Sequence, residues 1–277
     1  MKDLESLKKI PFSVLMPVYG GDKSDLVKKA LLSILSNSIK PNQIVIVIDG
    51  PISAEIQKEI NFLKDDTFDI IKLPKNKGIV NALNKGLEVC KHQLIARCDA
   101  DDENLPMRFE LQLYQFYTDK NLDLCGGHII EVDGINKYKR MVPISDTEVR
   151  KSIKLRNPFN HMTVMFKKNA VLSAGKYQQI MYREDYALWA KMYSIGHKIK
   201  NIDETLVIAS GGIAMYERRG KFSDIGFEIQ LQKYLFSLNI INVYEYARNI
   251  IIRVGNMMIS PKIRGFFYAN FLRKKSQ

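Results

Sequence analysis

The chain has 277 residues, 46% hydrophobic and 26% charged, a balance that excludes a fibre or a disordered tail protein. No apolar run reaches the ~18 residues of a membrane-spanning helix, the charged first nine residues do not read as a signal peptide, and three cysteines without CxxC spacing argue against a disulfide framework or a structural zinc site. Net charge is +12, and residues 218–277 hold eleven Lys and Arg against three Asp and Glu, so the excess is concentrated at the C-terminal end.

Phe12–Tyr19 (FSVLMPVY) predicts a buried strand that stops in a Gly-Gly loop. Ser24 predicts the cap of a helix with apolar positions Leu26, Val27, Ala30, Leu31, Ile34 and Leu35. Gln43–Ile48 predicts a second strand, closed by Asp49-Gly50-Pro51. A helix near Ala54–Lys64, a strand over Phe68–Leu73, a helix over Gly78–Cys90 and a strand over Gln93–Cys98 follow. Strands alternating with helices, each nearly continuous in apolar residues, predict an α/β fold with a mainly parallel central sheet flanked by helices. Ligands of such sheets gather beyond the carboxyl ends of the strands. Pro17–Gly20, Asp49-Gly50 and Asp99–Asp102 fall there.

The second half changes character. A hairpin is expected at Asp133-Gly134, and Ser145-Asp-Thr-Glu148 is a capping box opening a helix to about Arg156. Met162–Phe166 reads as a strand. Tyr182–Ile195 reads as an amphipathic helix with Tyr186, Trp189, Ala190 and Tyr193 as its core stripe. After Tyr216 the chain reads helical and basic to its end, with Ile250–Ile252, Phe266 and Phe267 among the cations. That composition fits an interfacial membrane element or a helical region packed on the main domain.

Asp99, Asp101 and Asp102 fall within four residues after a buried strand. Carboxylates this close repel unless a cation lies between them, and Mn²⁺ or Mg²⁺ with oxygen ligands is the natural partner. A helix N-cap with an acidic first turn is the plainer reading, and Asp102 suits it ahead of a helix starting near Pro106.

Taken in order, VLMPVYG, IDG, NKGIVNALNKG, ARCDADD and YREDYALW resemble family 2 glycosyltransferases, and more narrowly the bacterial members that build O-antigen and exopolysaccharide repeat units. The resemblance spans roughly residues 11–219 and implies the GT-A fold. It implies a catalytic domain over 1–217, with a nucleotide-binding half (11–104) and an acceptor half (105–217), followed by a basic amphipathic helical region over 218–277. By the same resemblance Pro17, Val18 and Tyr19 line the nucleotide base, Asp49 accepts from the uracil ring, Asp99 and Ala100 lie at the ribose, and Asp101 binds the metal. Asp185 matches the catalytic base, next to Glu184. Two positions depart from the pattern: Ile48 stands where a second Asp is common, and Leu83 where many members carry an Arg, with Arg97 or Lys77 as substitutes.

The chemistry implied is the transfer of a hexose, glucose or galactose, from a UDP-sugar donor to a saccharide on a polyprenyl diphosphate. One base without a nucleophile partner implies a single inverting displacement. His161, in Asn157-Pro-Phe-Asn-His161, is a candidate for the sugar or acceptor pocket or an ordinary loop histidine. Arg218-Arg219, beside glycines, suit a diphosphate or a solvated loop. Trp189 reads as core or pocket wall. The first-turn position of Glu184-Asp185 alone also fits simple helix stabilisation. Location is expected to be cytoplasmic, peripheral at the inner face of the plasma membrane, with the basic region as the contact. The rivals are a sugar nucleotidyltransferase, which lacks its Arg-containing glycine loop here, and a non-catalytic basic membrane- or nucleic-acid-binding protein. No nucleic-acid module signature appears.

Overall fold

The computed structural model describes residues 2–180, 182–210, 224–258 and 274–275. Four apolar strands, β1 (Phe12–Tyr19), β2 (Gln43–Asp49), β3 (Phe68–Leu73) and β4 (Leu94–Arg97), pair in parallel in the order β3–β2–β1–β4. Both faces are covered, which is why β1 and β2 are almost continuously apolar rather than alternating, while β3 at the edge carries Asp69 and Lys72 and is half-buried. On β1, Phe12, Val14, Met16 and Val18 enter one core, with α1 (Lys2–Lys8), α2 (Ser24–Leu35), α3 (Ala54–Leu63) and α5 (Arg108–Thr118). Leu15 enters the other, beneath α4 (Ile79–Val89).

α4 lies close against the sheet because Gly86 has no side chain. A Cβ there would fall 2.1 Å from Leu15 Cδ1 and 3.0 Å from Val47 Cγ2. Ser24 is not the cap expected of it: α2 has Lys23 at its N-cap and no side-chain hydrogen bond there.

Beyond β4 the sheet is mixed. β8 (Met165–Lys167) runs antiparallel to β4, and β6 (Leu122–Asp133) antiparallel to β8. β6 turns through the expected hairpin into β7 (Asn136–Arg140), with Gly134 at φ 59°. β9 (Lys198–Ser210) runs parallel to β6 and antiparallel to the short β5 (Glu103–Asn104). Continuous parallel pairing therefore holds for the first half, where helical crossovers return the chain to the same end; in the second half of the described residues only β6 and β9 pair in parallel, beside the antiparallel β4–β8, β6–β8, β6–β7 and β5–β9 pairs.

The capping box forms at Ser145 and Glu148 and opens α6 (Asp146–Ser152), which ends before Arg156. Residues 161–163 form a 3₁₀ turn, so the strand predicted from Met162 begins three residues later. α7 (Lys168–Ser173) leads to α8 (Glu184–Ser194), whose Tyr186, Trp189 and Ala190 are buried while Tyr193 is half-buried.

α9 (Ile225–Ser237) and α10 (Val243–Met258) follow. Leu231, Leu235, Ile240 and Ile241 join the core shared by α4 and α8, so these two helices pack on the main body. The region is not helical to its end: β10 (Lys274–Lys275) pairs antiparallel with β7.

Gly86→Val should push Leu15 from its place and cost about 1–3 kcal/mol by overpacking. The urea midpoint should fall with an unchanged m-value; an unaltered midpoint would show that the α4–sheet contact is looser than described.

Candidate active site

The carboxyl ends of the parallel strands hold the polar residues, and each is fixed from behind. After β4 the chain makes the turn Asp99-Ala100-Asp101-Asp102. Arg108, fully buried at the start of α5, grips this turn from below: its guanidinium donates to Arg97 O at 2.7 Å and to Asn104 Oδ1. Ser33 of α2 holds Asn104 from the side, accepting from its backbone N–H at 2.9 Å.

One oxygen each of Asp99, Asp101 and Asp102 lie within 4.8 Å of one another. Asp102 is 4% exposed, and its Oδ1 accepts from Ser210 N at 2.8 Å. It ties the turn to the end of β9 and is not the N-cap of α5, which is Met107. Burial raises Asp102 well above its ordinary value, with Asp99 and Asp101 adding like charge. Asp99 accepts from Arg97 Nη1 at 2.5 Å. Burial works against the charge on Arg97, but Asp99, with Tyr177 and Asp102, together more than offset it. Oxygen donors this close suit a hard divalent ion, so the residues fit Mn²⁺ or Mg²⁺, with Asp101 and Asp99 as the half-exposed pair.

Asp22 joins this rim and was not among the expected residues. It follows β1, and its Oδ2 accepts from Tyr19 N at 2.9 Å. Burial pushes it up to about 6; the Tyr19 N–H opposes the rise, and the charges of Asp101 and Asp99 add to it. The available signal was a lone Asp in the loop after the first strand, where the fold gathers polar groups.

Pro17 and Val18 are buried, whereas Tyr19 is 47% exposed, so of the three expected base-lining residues only Tyr19 offers a side-chain surface. Ala100 is also buried. Asp49 is 4% exposed and accepts from Lys77 N and Gly78 N, each at 2.8 Å. It braces the 75–78 loop, which crosses so near that a Cβ on Gly50 (φ +86°) would stand 2.5 Å from Asn76 N. Lys77 contributes a backbone N–H here and its side chain is exposed, while Arg97 is committed to Asp99.

Glu184 and Asp185 open α8. Asp185 Oδ2 accepts from Asn157 Nδ2 at 2.6 Å, and Oδ1 from Tyr186 N at 2.7 Å. Burial, then the adjacent Asp185, push Glu184 up to about 7, and its Oε2 is buried without a hydrogen-bond partner. Between this pair and the acidic turn lie His161 and Tyr177, joined by a 3.0 Å hydrogen bond. Burial and Arg97 hold His161 well below its ordinary value, so the ring is neutral. Burial raises Tyr177 and Arg97 opposes the rise; Asp185, Glu184 and Asp99 are all near enough to act on it.

Trp189 does not line the site. It is fully buried, with ring centroids 5.9 Å from His161, 6.0 Å from Phe159 and 6.3 Å from Tyr177, and is the floor beneath them. Arg218 and Arg219 lie outside the described residues. The structure thus brings Asp99, Asp101, His161, Glu184 and Asp185 into one region, and adds Asp22, Asn157 and Tyr177.

Residues 13–181 match the family model of glycosyl transferase family 2. The amylovoran biosynthesis glycosyltransferase AmsE of Erwinia amylovora is 34% identical over 263 residues, covering 93% of this chain and 97% of that protein. The UDP-Gal:alpha-D-GlcNAc-diphosphoundecaprenol beta-1,3-galactosyltransferase of Escherichia coli is 32% identical over 272 residues, covering 95% and 97%. Among solved structures, S. aureus TarS 1-349 in complex with UDP-GlcNAc superposes with a TM-score of 0.64 at 16% identity, over 94% of this chain and 73% of that one, a likeness of fold. With the sheet, the acidic turn and the Glu184–Asp185 pair in place, the chain belongs to glycosyl transferase family 2 and has its GT-A fold.

Proposed function

We infer that the protein moves a hexose, glucose or galactose, from a UDP-sugar to a saccharide on a polyprenyl diphosphate, inverting the anomeric carbon, in the assembly of a surface polysaccharide repeat unit. The observation that carries this reading is the meeting of the Asp99–Asp101 turn with the Glu184–Asp185 pair around Tyr177 and His161. The names of the relatives support it: one serves amylovoran synthesis, another acts with UDP-Gal on diphosphoundecaprenol-linked GlcNAc. TarS has been solved with UDP and with UDP-GlcNAc.

In this reading residues 11–104 hold the nucleotide and 105–217 receive the acceptor. Tyr19 covers the base, with Asp49 and the 75–78 loop beside it. Asp99 and Ala100 lie at the ribose, and Asp101 and Asp99 would hold Mn²⁺ or Mg²⁺. Such an ion, when bound, offsets the charge that grows on the departing nucleoside diphosphate. Asp185, aimed by Asn157 and by Tyr186 N, takes the proton of the acceptor hydroxyl. Glu184, raised to about 7, is partly protonated near neutral pH, which lessens the like charge beside that base. The neutral His161–Tyr177 pair lends its hydrogen-bonding groups to the sugar, between the two acidic clusters.

The proposed partner of the C-terminal region is the cytoplasmic surface of the plasma membrane. On α10, Tyr244 is 83% and Ile251 72% exposed, beside exposed Ile252 and Arg248. No helix among the described residues is long and apolar enough to cross a membrane. Vesicles rich in anionic lipid should sediment the wild type and release a Tyr244→Asp/Ile251→Asp variant; equal sedimentation of both would remove α10 from the contact.

Turnover is tested with a panel of UDP-hexoses and a synthetic lipid diphosphate saccharide, read as UDP release. Asp185→Asn should lower turnover at least about a hundredfold. It should keep the thermal stabilisation given by UDP with Mn²⁺, and Asp101→Ala should lose that stabilisation. Full turnover by Asp185→Asn, or full Mn²⁺-dependent stabilisation of Asp101→Ala, would refute the assignments.

Glu184 also makes stability depend on pH. Its folded value of about 7 exceeds the ordinary 4.5, so the folded chain holds an extra proton between these values. That contribution is fully present below the lower value and is lost as pH rises through the upper one. Glu184→Gln keeps a neutral side chain throughout. The drop in melting temperature between about pH 5 and about pH 8 should therefore be smaller in the variant, and an equal drop would contradict the raised value.

A further inference from the structure

Among the described residues, Glu228, on α9, is the most completely buried carboxylate outside the site, with a side-chain exposure of 0%. Its Oε2 accepts from Arg183 Nε at 3.2 Å, its Oε1 accepts from Gln232 Nε2 at 3.0 Å, and Oε1 also forms an ion pair with Arg253 Nη1 at 2.8 Å. Arg183 is the N-cap residue of α8 and directly precedes Glu184-Asp185. One residue earlier, Tyr182 stands at φ 60°, a conformation an aromatic residue adopts only when held, and its ring meets Phe227 of α9 edge-on at 6.1 Å. Two neighbouring side chains of α9 therefore hold the two residues in front of the acidic pair.

The same helices grip the other side of Asp185. Asn157, whose amide donates to Asp185, is preceded by Lys154, Leu155 and Arg156. Asn249 of α10 donates to Lys154 O at 2.8 Å and to Gln232 Oε1 at 3.0 Å, while Arg253 donates to Leu155 O. Lys154 also pairs with Glu245 at 2.9 Å. One polar network, buried at Glu228, Gln232 and Asn249, thus runs from Arg183 through Glu228, Arg253, Gln232 and Asn249 to the segment that carries Asn157. Asp185 is held between its two ends.

We propose that Glu228 is a positioning residue for transfer: through Arg183 on one side and Arg253 on the other, it makes the α9–α10 pair the clamp that aims Asp185 at the acceptor hydroxyl. The proposal rests on the reading of Asp185 as base. It gives the C-terminal helices a task in acceptor chemistry and none in nucleotide binding, whose residues lie at the ends of β1, β2 and β4.

The test uses the full chain with Glu228→Gln, Arg183→Gln, the combination of both, and Phe227→Ala. Acceptor-dependent transfer with UDP-galactose or UDP-glucose should lose tenfold or more in kcat in each of the two single charge variants. Donor KM and affinity for UDP with Mn²⁺ should stay within twofold, and the combination should lose no more than the worse single change. Amide hydrogen exchange should quicken at residues 182–186 while β1, β2 and β4 keep their protection. Phe227→Ala leaves every ion pair in place, so it serves if Glu228→Gln fails to fold; it should lower kcat severalfold and loosen residues 182–183. A folded Glu228→Gln or Phe227→Ala with wild-type kcat and unchanged exchange overturns the proposal, as does a loss of UDP affinity in step with kcat. Active Asp185→Asn overturns the base assignment instead, and the exchange result then still decides whether the clamp exists.

Discussion

Crowded negative charge at the carboxyl edge of the parallel strands is the constraint on which the rest of this molecule depends. Asp22, Asp99, Asp101 and Asp102 converge there, and burial makes each additional ionised oxygen costly. The protein answers in three ways. Arg97 lends a buried guanidinium to Asp99. Asp102 turns inward to a backbone N–H of β9. Asp22 and Asp102 are raised toward their neutral forms. What remains is a region short of positive charge, whose close-set oxygens suit a divalent cation.

The same problem recurs at α8 and is solved differently. Glu184 and Asp185 are adjacent carboxylates, and the fold separates them by environment. Asp185 has a hydrogen bond on each oxygen, whereas Glu184 has a buried Oε2 with none. Two acids of similar intrinsic strength thereby become unlike groups. Nearby, burial against Trp189 and Tyr177, with the charge of Arg97, holds His161 neutral.

Much of this was legible in the sequence, for identifiable reasons. Strands such as FSVLMPVY and QIVIVID are buried on both faces, so unbroken apolar runs marked them almost to the residue. The Ser145–Glu148 box was legible because capping is a contact between residues three apart. What escaped depends on distant contacts. Asp22 acquires its meaning only when the loop after β1 meets the turn after β4. Trp189 shares the spacing of a pocket wall and of a core residue, and packing against β8 decided between them. Asn157 joins Asp185 across 28 positions, and Glu228 joins Arg183 across 45. The basic, apolar C-terminal region carries a composition that suits either lipid or protein; Leu231, Leu235, Ile240 and Ile241 place one of its faces in the core, while Tyr244 and Ile251 remain outside.

The placement of α9 and α10 has a temporal consequence. A chain leaving the ribosome presents β1 to β4 early, and local βα units of that kind close without help from later residues. The acidic turn gains its last tie, from Ser210 N to Asp102, only when β9 is in place. The brackets on Lys154, Leu155 and Arg183 come from residues 228–253, so the surroundings of Asp185 lack this outer support until that stretch has emerged. Order in the nascent chain would come first to the parallel strands and last to the surroundings of Asp185.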